Sequence, residues 1–163
     1  MSLESRRMEI SKLMLGDFVR TKDNVRRGHI DRVSMIEGKF IGVLRYDKAA
    51  DVNVLYKYWC SDVEPITLTP QILEKNGFVW GELPDVEDAA ALAGVNLDPN
   101  DKGYCYADEC GQVKIVFPKD MDGGYVYVSN YTDCVTRSFG ESLYVHELQN
   151  LMYSVKVKVD INL

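Results

Sequence analysis

Residues 13–33 read LMLGDFVRTKDNVRRGHIDRV, and their pattern sets the fold class of the first half of the chain. Leu13, Leu15, Phe18 and Val19 flank Gly16-Asp17, as in a strand entered through a turn. Downstream, Ile30 and Val33 lead to Met35-Ile36, then Glu37-Gly38, then Phe40, Ile41, Val43 and Leu44. That order is hairpin-like, with Gly38 able to take a positive φ at the turn. A further strand runs through Val52, Val54, Tyr56 and Tyr58 on one parity, with Leu55 and Trp59 on the other. Short, closely spaced strands within residues 13–67 predict a small, strongly bent sheet that closes on itself and so protects its edges.

The same segment resembles the opening of a Src-homology-3-like or KOW-type barrel, where a Leu-x-x-Gly-Asp-x-Val strand precedes a Gly-x-Ile strand. The matching residues are Leu13, Gly16, Asp17, Val19, Gly28 and Ile30. The resemblance implies a small β-barrel over 13–67. Arg20, Lys22, Arg26 and Arg27 surround an expected loop, with Tyr46, Tyr56, Tyr58 and Trp59 elsewhere in the unit. A basic loop with aromatics can grip phosphates and stack on bases. The opposing reading has the Arg and Lys residues solvating a loop while Trp59 and the tyrosines fill a small core. Asp23, Asp47 and Asp51 dilute the positive charge and favour that second reading.

Charge divides the chain. The formal net charge is −6 over 163 residues. Residues 1–64 are net +2 (12 basic against 10 acidic), whereas residues 65–163 are net −8 (7 basic against 15 acidic). The two halves present different fields to partners, and a polyanion meets repulsion across the second. No stretch approaches the roughly 18 consecutive apolar residues of a membrane span. The start, MSLESRRMEI, has no apolar core followed by a small-residue cleavage site, so a cytoplasmic location is expected. Four cysteines (Cys60, Cys105, Cys110, Cys134) are too few for a disulfide framework in so apolar a chain and are expected as free, mostly buried thiols.

Leu68 to Phe78, LTPQILEKNGF, carries the signals of a short helix over 70–76. Thr69 suits the N-cap, Pro70 the first helical position, and Leu68 with Leu73 a hydrophobic staple. Asn76-Gly77 ends it, with Phe78 packing back on Leu73 in a Schellman arrangement. This helix opens a second unit, 68–163. Phe78-Val79-Trp80 begins a strand, and 103–107, 111–117, 124–129 and 132–139 suggest an antiparallel meander of three or four strands. Residues 86–92 suit either a short helix or a loop. Tyr144, Leu148, Leu151 and Val155 repeat at helical spacing, with Val145 and Met152 widening the stripe, so 144–154 should form a helix covering the sheet. His146, Glu147, Gln149 and Asn150 fall largely outside that stripe, and KVKVDINL should end the chain as a strand. The expected class is α+β: a small N-terminal β-barrel followed by an antiparallel sheet covered by a C-terminal helix.

Both ends of the second unit resemble an uncharacterised family of small proteins encoded by bacteroidetes genomes, their prophages and other mobile elements. Its members carry an LTxxILExNGF-like entrance and a YVHELQN-like helix, here Leu68 to Phe78 and Tyr144 to Asn150. The resemblance covers roughly residues 13–154, with 84–101 as extra material. It implies an accessory protein of phage or mobile-element origin and lends no catalytic role.

His146, with Glu147 beside it and Asn150 one turn on, is a conceivable polar cluster, set against a histidine that merely docks its helix. Cys105 and Cys110 lack a second pair at zinc-site spacing, and Asp98 to Gly103 lacks the ligand pattern of a calcium loop. No metal and no cofactor is expected. No phosphate-binding loop, dinucleotide fingerprint, nucleophile elbow or metalloprotease signature is present. The reading is therefore a non-enzymatic accessory or protein-interaction protein. The alternative is nucleic-acid binding through Arg20, Lys22, Arg26 and Arg27. A protein partner is preferred because the whole chain is acidic.

Overall fold

Asp17 decides how the first strand begins. Its buried carboxylate accepts the N–H of Met14 at 2.7 Å, and the neighbouring Gly16 N–H donates to the Val33 carbonyl at 2.7 Å. The turn expected at Gly16-Asp17 is thus closed by a side chain and tied to the next strand. The protein is described here by a computed structural model, which covers residues 13–22, 29–82, 101–118, 122–157, 159 and 161–163. It divides into two units, one of residues up to Ile66 together with Tyr144–Glu147, the other of residues from Thr67 to Leu143 and from Leu148 to Leu163.

The first unit contains β1 (Phe18–Thr21), β2 (His29–Glu37), β3 (Phe40–Asp47), β4 (Val52–Trp59), a 3-10 turn (Cys60–Asp62) and β5 (Val63–Pro65). All pairings are antiparallel, in the order β4-β3-β2-β1-β5. A bulge between Val33 and Met35 interrupts the β2–β3 register and bends the sheet there. The concave face buries Leu13, Val19, Val33, Ile41, Val43 and Val63, with Ile36, Tyr58 and Cys60 against them. The expected barrel does not close. Among the described residues no ladder joins β4 to β5, because β5 has only three residues, all paired to β1, and its last is Pro65, which has no N–H to donate. The core reading of the aromatics is also corrected. Only Tyr58 joins the core, whereas Trp59, Tyr46 and Tyr56 are exposed.

The second unit opens with α1 (Pro70–Lys75). Thr69 Oγ1 accepts the Ile72 N–H at 3.3 Å and Pro70 sits at the first helical position. Gly77 takes φ +81°, while the N–H groups of Phe78 and Gly77 donate to the carbonyls of Leu73 and Glu74. This is the full Schellman pair, which a residue with a Cβ would strain. Then come β6 (Val79–Glu82), β7 (Lys102–Asp108), β8 (Gly111–Phe117), β9 (Gly124–Ser129) and β10 (Cys134–Phe139), a five-stranded meander in sequence order. One face carries Val113, Ile115, Val126 and Val128, all at most 1% exposed, together with Tyr104. Tyr104 donates to Glu74 at 3.3 Å, and burial, then the Glu74 charge and that bond, raise its phenol pKa. The other face carries Lys114 and Ser129, also buried. The helix-or-loop question at 86–92 lies outside the described residues.

The β7–β8 turn is organised by Asp108. Its carboxylate accepts the Tyr106 hydroxyl at 2.8 Å and the N–H groups of Cys110 and Gly111 at 2.7 and 3.1 Å. The Tyr106 bond, followed by the Cys110 N–H, holds its carboxyl below the usual carboxylate pKa. A depressed folded value means that the stabilisation is present above the unfolded pKa and is lost as pH falls through the folded one. Tyr106→Phe should therefore move the Asp108 midpoint up toward the ordinary range in a carboxyl-carbon NMR titration. An unmoved midpoint would count against the tyrosine as its cause.

Helix α2 (Val145–Ser154) buries Val145, His146, Leu148, Leu151 and Met152, and Val155 just beyond it. His146 corrects the expected pattern, being 3% exposed although its helical position falls outside the apolar stripe. The helix ends in a second Schellman pair, Val157 N–H to Met152 and Lys156 N–H to Tyr153, and the residue at φ +59° is Lys156. Because a Cβ costs about 1–2 kcal/mol in that conformation, Lys156→Gly should raise the stability by up to about 1 kcal/mol after glycine's own entropy cost. Thermal unfolding of the two proteins checks this, and an unchanged or lower Tm contradicts it. The expected terminal strand is absent from the described tail residues. A side-chain clasp holds the tail instead: Asn76 exchanges two bonds with the backbone of Asn162 (2.7 and 2.8 Å), and Lys75 Nζ donates to the Leu163 carbonyl. Ile161 is fully buried. No helix among the described residues is long and apolar enough to cross a membrane.

Candidate functional site

Of the four basic residues singled out in the first unit, Arg26 and Arg27 lie outside the described residues. Arg20 lies exposed on β1, with Glu64 of β5 opposite it in register. Lys22 forms an ion pair with the same Glu64 at 2.8 Å. One carboxylate thus faces both described cations, which weakens any field they project onto a phosphate.

His146 and Glu147 each take a local task. The His146 ring stacks on Tyr144 in the first unit, with centroids 5.9 Å apart and planes at 16°. Glu147 reaches back to accept the Tyr144 N–H at 3.3 Å, the carboxylate half of a capping box. Asn150 is half-buried one turn on and belongs to the second unit. Among the described residues no group of three or more His, Cys, Asp or Glu side chains could hold a metal ion. All four cysteines are free, but Cys110 and Cys134 are exposed, so the expectation of mostly buried thiols is corrected. Cys110 lies in the β7–β8 turn and Cys134 at the start of β10.

The first sheet holds two constellations that sequence reasoning did not assemble. One is a polar ladder at the end of its concave face. Arg45 of β3 grips Asp31 of β2 with two bonds, Nε to Oδ1 at 2.9 Å and Nη2 to Oδ2 at 2.5 Å. Thr21 of β1 completes it, accepting from Arg45 at 2.6 Å and donating to Asp31 at 2.9 Å. The guanidinium also lies over Tyr56 and Tyr58, 5.1 and 5.5 Å from the ring centroids. The side chains of Asp31 and Arg45 are 8% and 20% exposed, so the pair is mostly removed from water. This is a four-strand brace with no open coordination, and its chemistry is structural.

The other constellation is the convex face of β2, β3 and β4. Register places Phe40 opposite Trp59, Leu44 opposite Leu55 and Tyr46 opposite Asn53. Phe40 and Trp59 rings sit 4.2 Å apart, and Met35 and Leu55 close over Gly42 between the two pairs. Leu44, Tyr46, Leu55 and Trp59 are each 43–57% exposed. The Tyr46 hydroxyl donates to Asp51, which pins the β3–β4 turn and raises the phenol pKa. Arg32 and Lys57 border the patch, with Glu37 as the acidic neighbour paired to Lys57 at 2.9 Å. The alternation of Leu44 and Leu55 with buried Val43 was the available signal, because strand neighbours point to opposite faces.

Compared with protein-family models, with curated proteins and with solved structures, the chain matches none.

Proposed function

We propose that the chain is a non-enzymatic accessory protein that binds another protein through the convex face of its first sheet. The observation that carries this reading is the contiguous row of Leu44, Tyr46, Leu55 and Trp59, exposed on a sheet whose core lies wholly on the other face. Contiguous exposed apolar surface of this kind marks interaction sites, and Trp and Tyr are the side chains that most often dominate binding energy. The return of β5 to β1 after the β1–β4 meander and a 3-10 turn supports treating this unit as an open Src-homology-3-like barrel. An origin in a phage or mobile element is the setting that the two terminal motifs suggest. Nucleic-acid binding is the weaker reading, because Glu64 faces both Arg20 and Lys22.

The test is capture from the native cell with three baits: the wild type, Leu55→Glu and Trp59→Ala. Both substitutions lie on exposed positions and leave the core intact. The reading expects a partner retained by the wild type and reduced at least tenfold on both variants. Equal retention on all three would refute it, and salt-sensitive binding of duplex or single-stranded nucleic acid by the wild type would favour the alternative.

A further inference from the structure

The second sheet ends in two neighbouring turns, and a cleft lies between them. Its volume is about 250 Å³. Ala107, Gln112 and Ser129 form the floor, side by side in register across β7, β8 and β9. Asp108 and Gly111 stand on one side, Asn130 and Tyr131 on the other. The turns approach this closely because Gly111 has no side chain. A Cβ there would sit 2.3 Å from the Ser129 carbonyl oxygen and 2.8 Å from Val157.

The polar groups around this cleft fall into two sets. Asp108 and Asn130 are committed to the turns themselves. The Asp108 oxygens accept from Tyr106, Cys110 and Gly111. Asn130 Oδ1 accepts the N–H groups of Thr132 and Asp133, while Nδ2 donates to the Val155 carbonyl. The second set is uncommitted: no hydrogen bond joins the Gln112 amide or the Ser129 hydroxyl to another described residue. Ser129 is nevertheless only 6% exposed, on the floor of the cleft. Tyr131, at 87% exposure, stands at the rim with its ring presented to solvent.

We propose that this cleft binds the ring of a neutral carbohydrate. The Gln112 amide supplies a donor and an acceptor and the Ser129 hydroxyl supplies both in one atom, which matches vicinal sugar hydroxyls that also donate and accept. The Tyr131 ring offers an apolar face to the C–H side of a pyranose and a polar tip to its rim. The size is suited to one ring, since drug-sized ligands occupy roughly 300–1,000 Å³. Charge selects against the alternatives. Residues 65–163 are net −8, and Glu109 and Asp133 lie in the same two turns, which disfavours phosphorylated or acidic sugars. A cation would need the Asp108 carboxylate, whose lone pairs are already engaged by three donors. This site is in the second unit and stands independently of the protein-binding face.

The test is a ¹⁵N NMR titration of the full chain with glucose, galactose, mannose and N-acetylglucosamine. Glucose 6-phosphate and lysine methyl ester serve as charged controls. At least one neutral sugar should give saturable shifts in the backbone amides of Gln112, Ser129, Asn130 and Tyr131 and in the Gln112 side-chain amide. Gln112→Ala and Tyr131→Ala, at half-exposed and exposed positions, should each weaken that binding at least tenfold while leaving the amide spectrum dispersed. The proposal is overturned by silence with all four sugars at tens of millimolar, by shifts that map elsewhere, by a charged control binding as well, or by undiminished binding in both variants.

Discussion

Arg45→Met should destabilise the first unit by about 3–5 kcal/mol, the usual consequence of leaving one member of a buried ion pair without the other. The loss falls on Asp31, whose side chain is only 8% exposed and whose two oxygens both receive Arg45. Thr21 loses a partner in the same change. Replacing Asp31→Leu together with Arg45→Met removes both charges and should recover most of the loss, because the pair itself contributes little against an apolar pair of similar volume. Arg45→Lys should recover less, since an ammonium cannot grip two carboxylate oxygens and a hydroxyl from one planar group. For a chain of this size the single substitution corresponds to roughly 6–20 °C in Tm. Thermal unfolding arranged as a double-mutant cycle measures the coupling. A single variant within about 1 kcal/mol of the wild type would show that the brace is solvated and structurally idle.

Ile115→Ala should cost about 2–5 kcal/mol. Ile115 is fully buried on β8, the central strand, with Tyr104 opposite it on β7 and Val126 on β9. The cost combines lost transfer energy with the cavity left among neighbours held in place by two ladders. Urea unfolding should show a lower midpoint with an unchanged slope. Trp59→Ala makes the contrast, removing a larger side chain from a half-exposed convex position, and should change stability far less than Ile115→Ala does. The reverse ranking would mean that the convex face, and not the sheet interior, holds the fold together.

The elements most legible in the sequence are those whose stabilising contacts are local. Thr69, Pro70, Asn76 and Gly77 mark α1 because each acts on backbone groups within four residues, and every one of those bonds is present. The stripe of Leu148, Leu151, Met152 and Val155 marks α2 because helical spacing stacks these side chains on one face. Strands β7 to β10 follow from alternation and turn residues in the same way. His146 was illegible for the opposite reason: its burial depends on groups packed against the helix, and periodicity alone placed it outside the stripe. The exposure of Trp59 likewise depends on which face of β4 turned inward, a choice made by the partner strand.

Barrel closure was misread because alternation reports strands and not the length of the last ladder. The last strand is three residues long, all paired to β1, and Pro65 has no N–H to donate to a further ladder. The tail was misread because KVKVDINL alternates as a strand does, whereas Asn76 satisfies its backbone with a side-chain amide from 86 residues away. The convex patch and the cleft were each assembled from segments distant in the chain. The patch sets Phe40 opposite Trp59 and Leu44 opposite Leu55, and the cleft joins turns around residues 110 and 131.

By itself, then, the amino-acid sequence determined antiparallel strands, a capped helix over 70–76, an apolar-striped helix over 144–154 and a basic-to-acidic division of charge. Those properties arise from residue spacing, capping and composition, which act over a few bonds or over the whole charge sum. The tertiary structure alone decided which residues are presented to partners: an apolar convex face in the first unit and, in the second, a cleft floored by Gln112 and Ser129. Strand register brings these groups together, and register is an energy of pairing between distant segments.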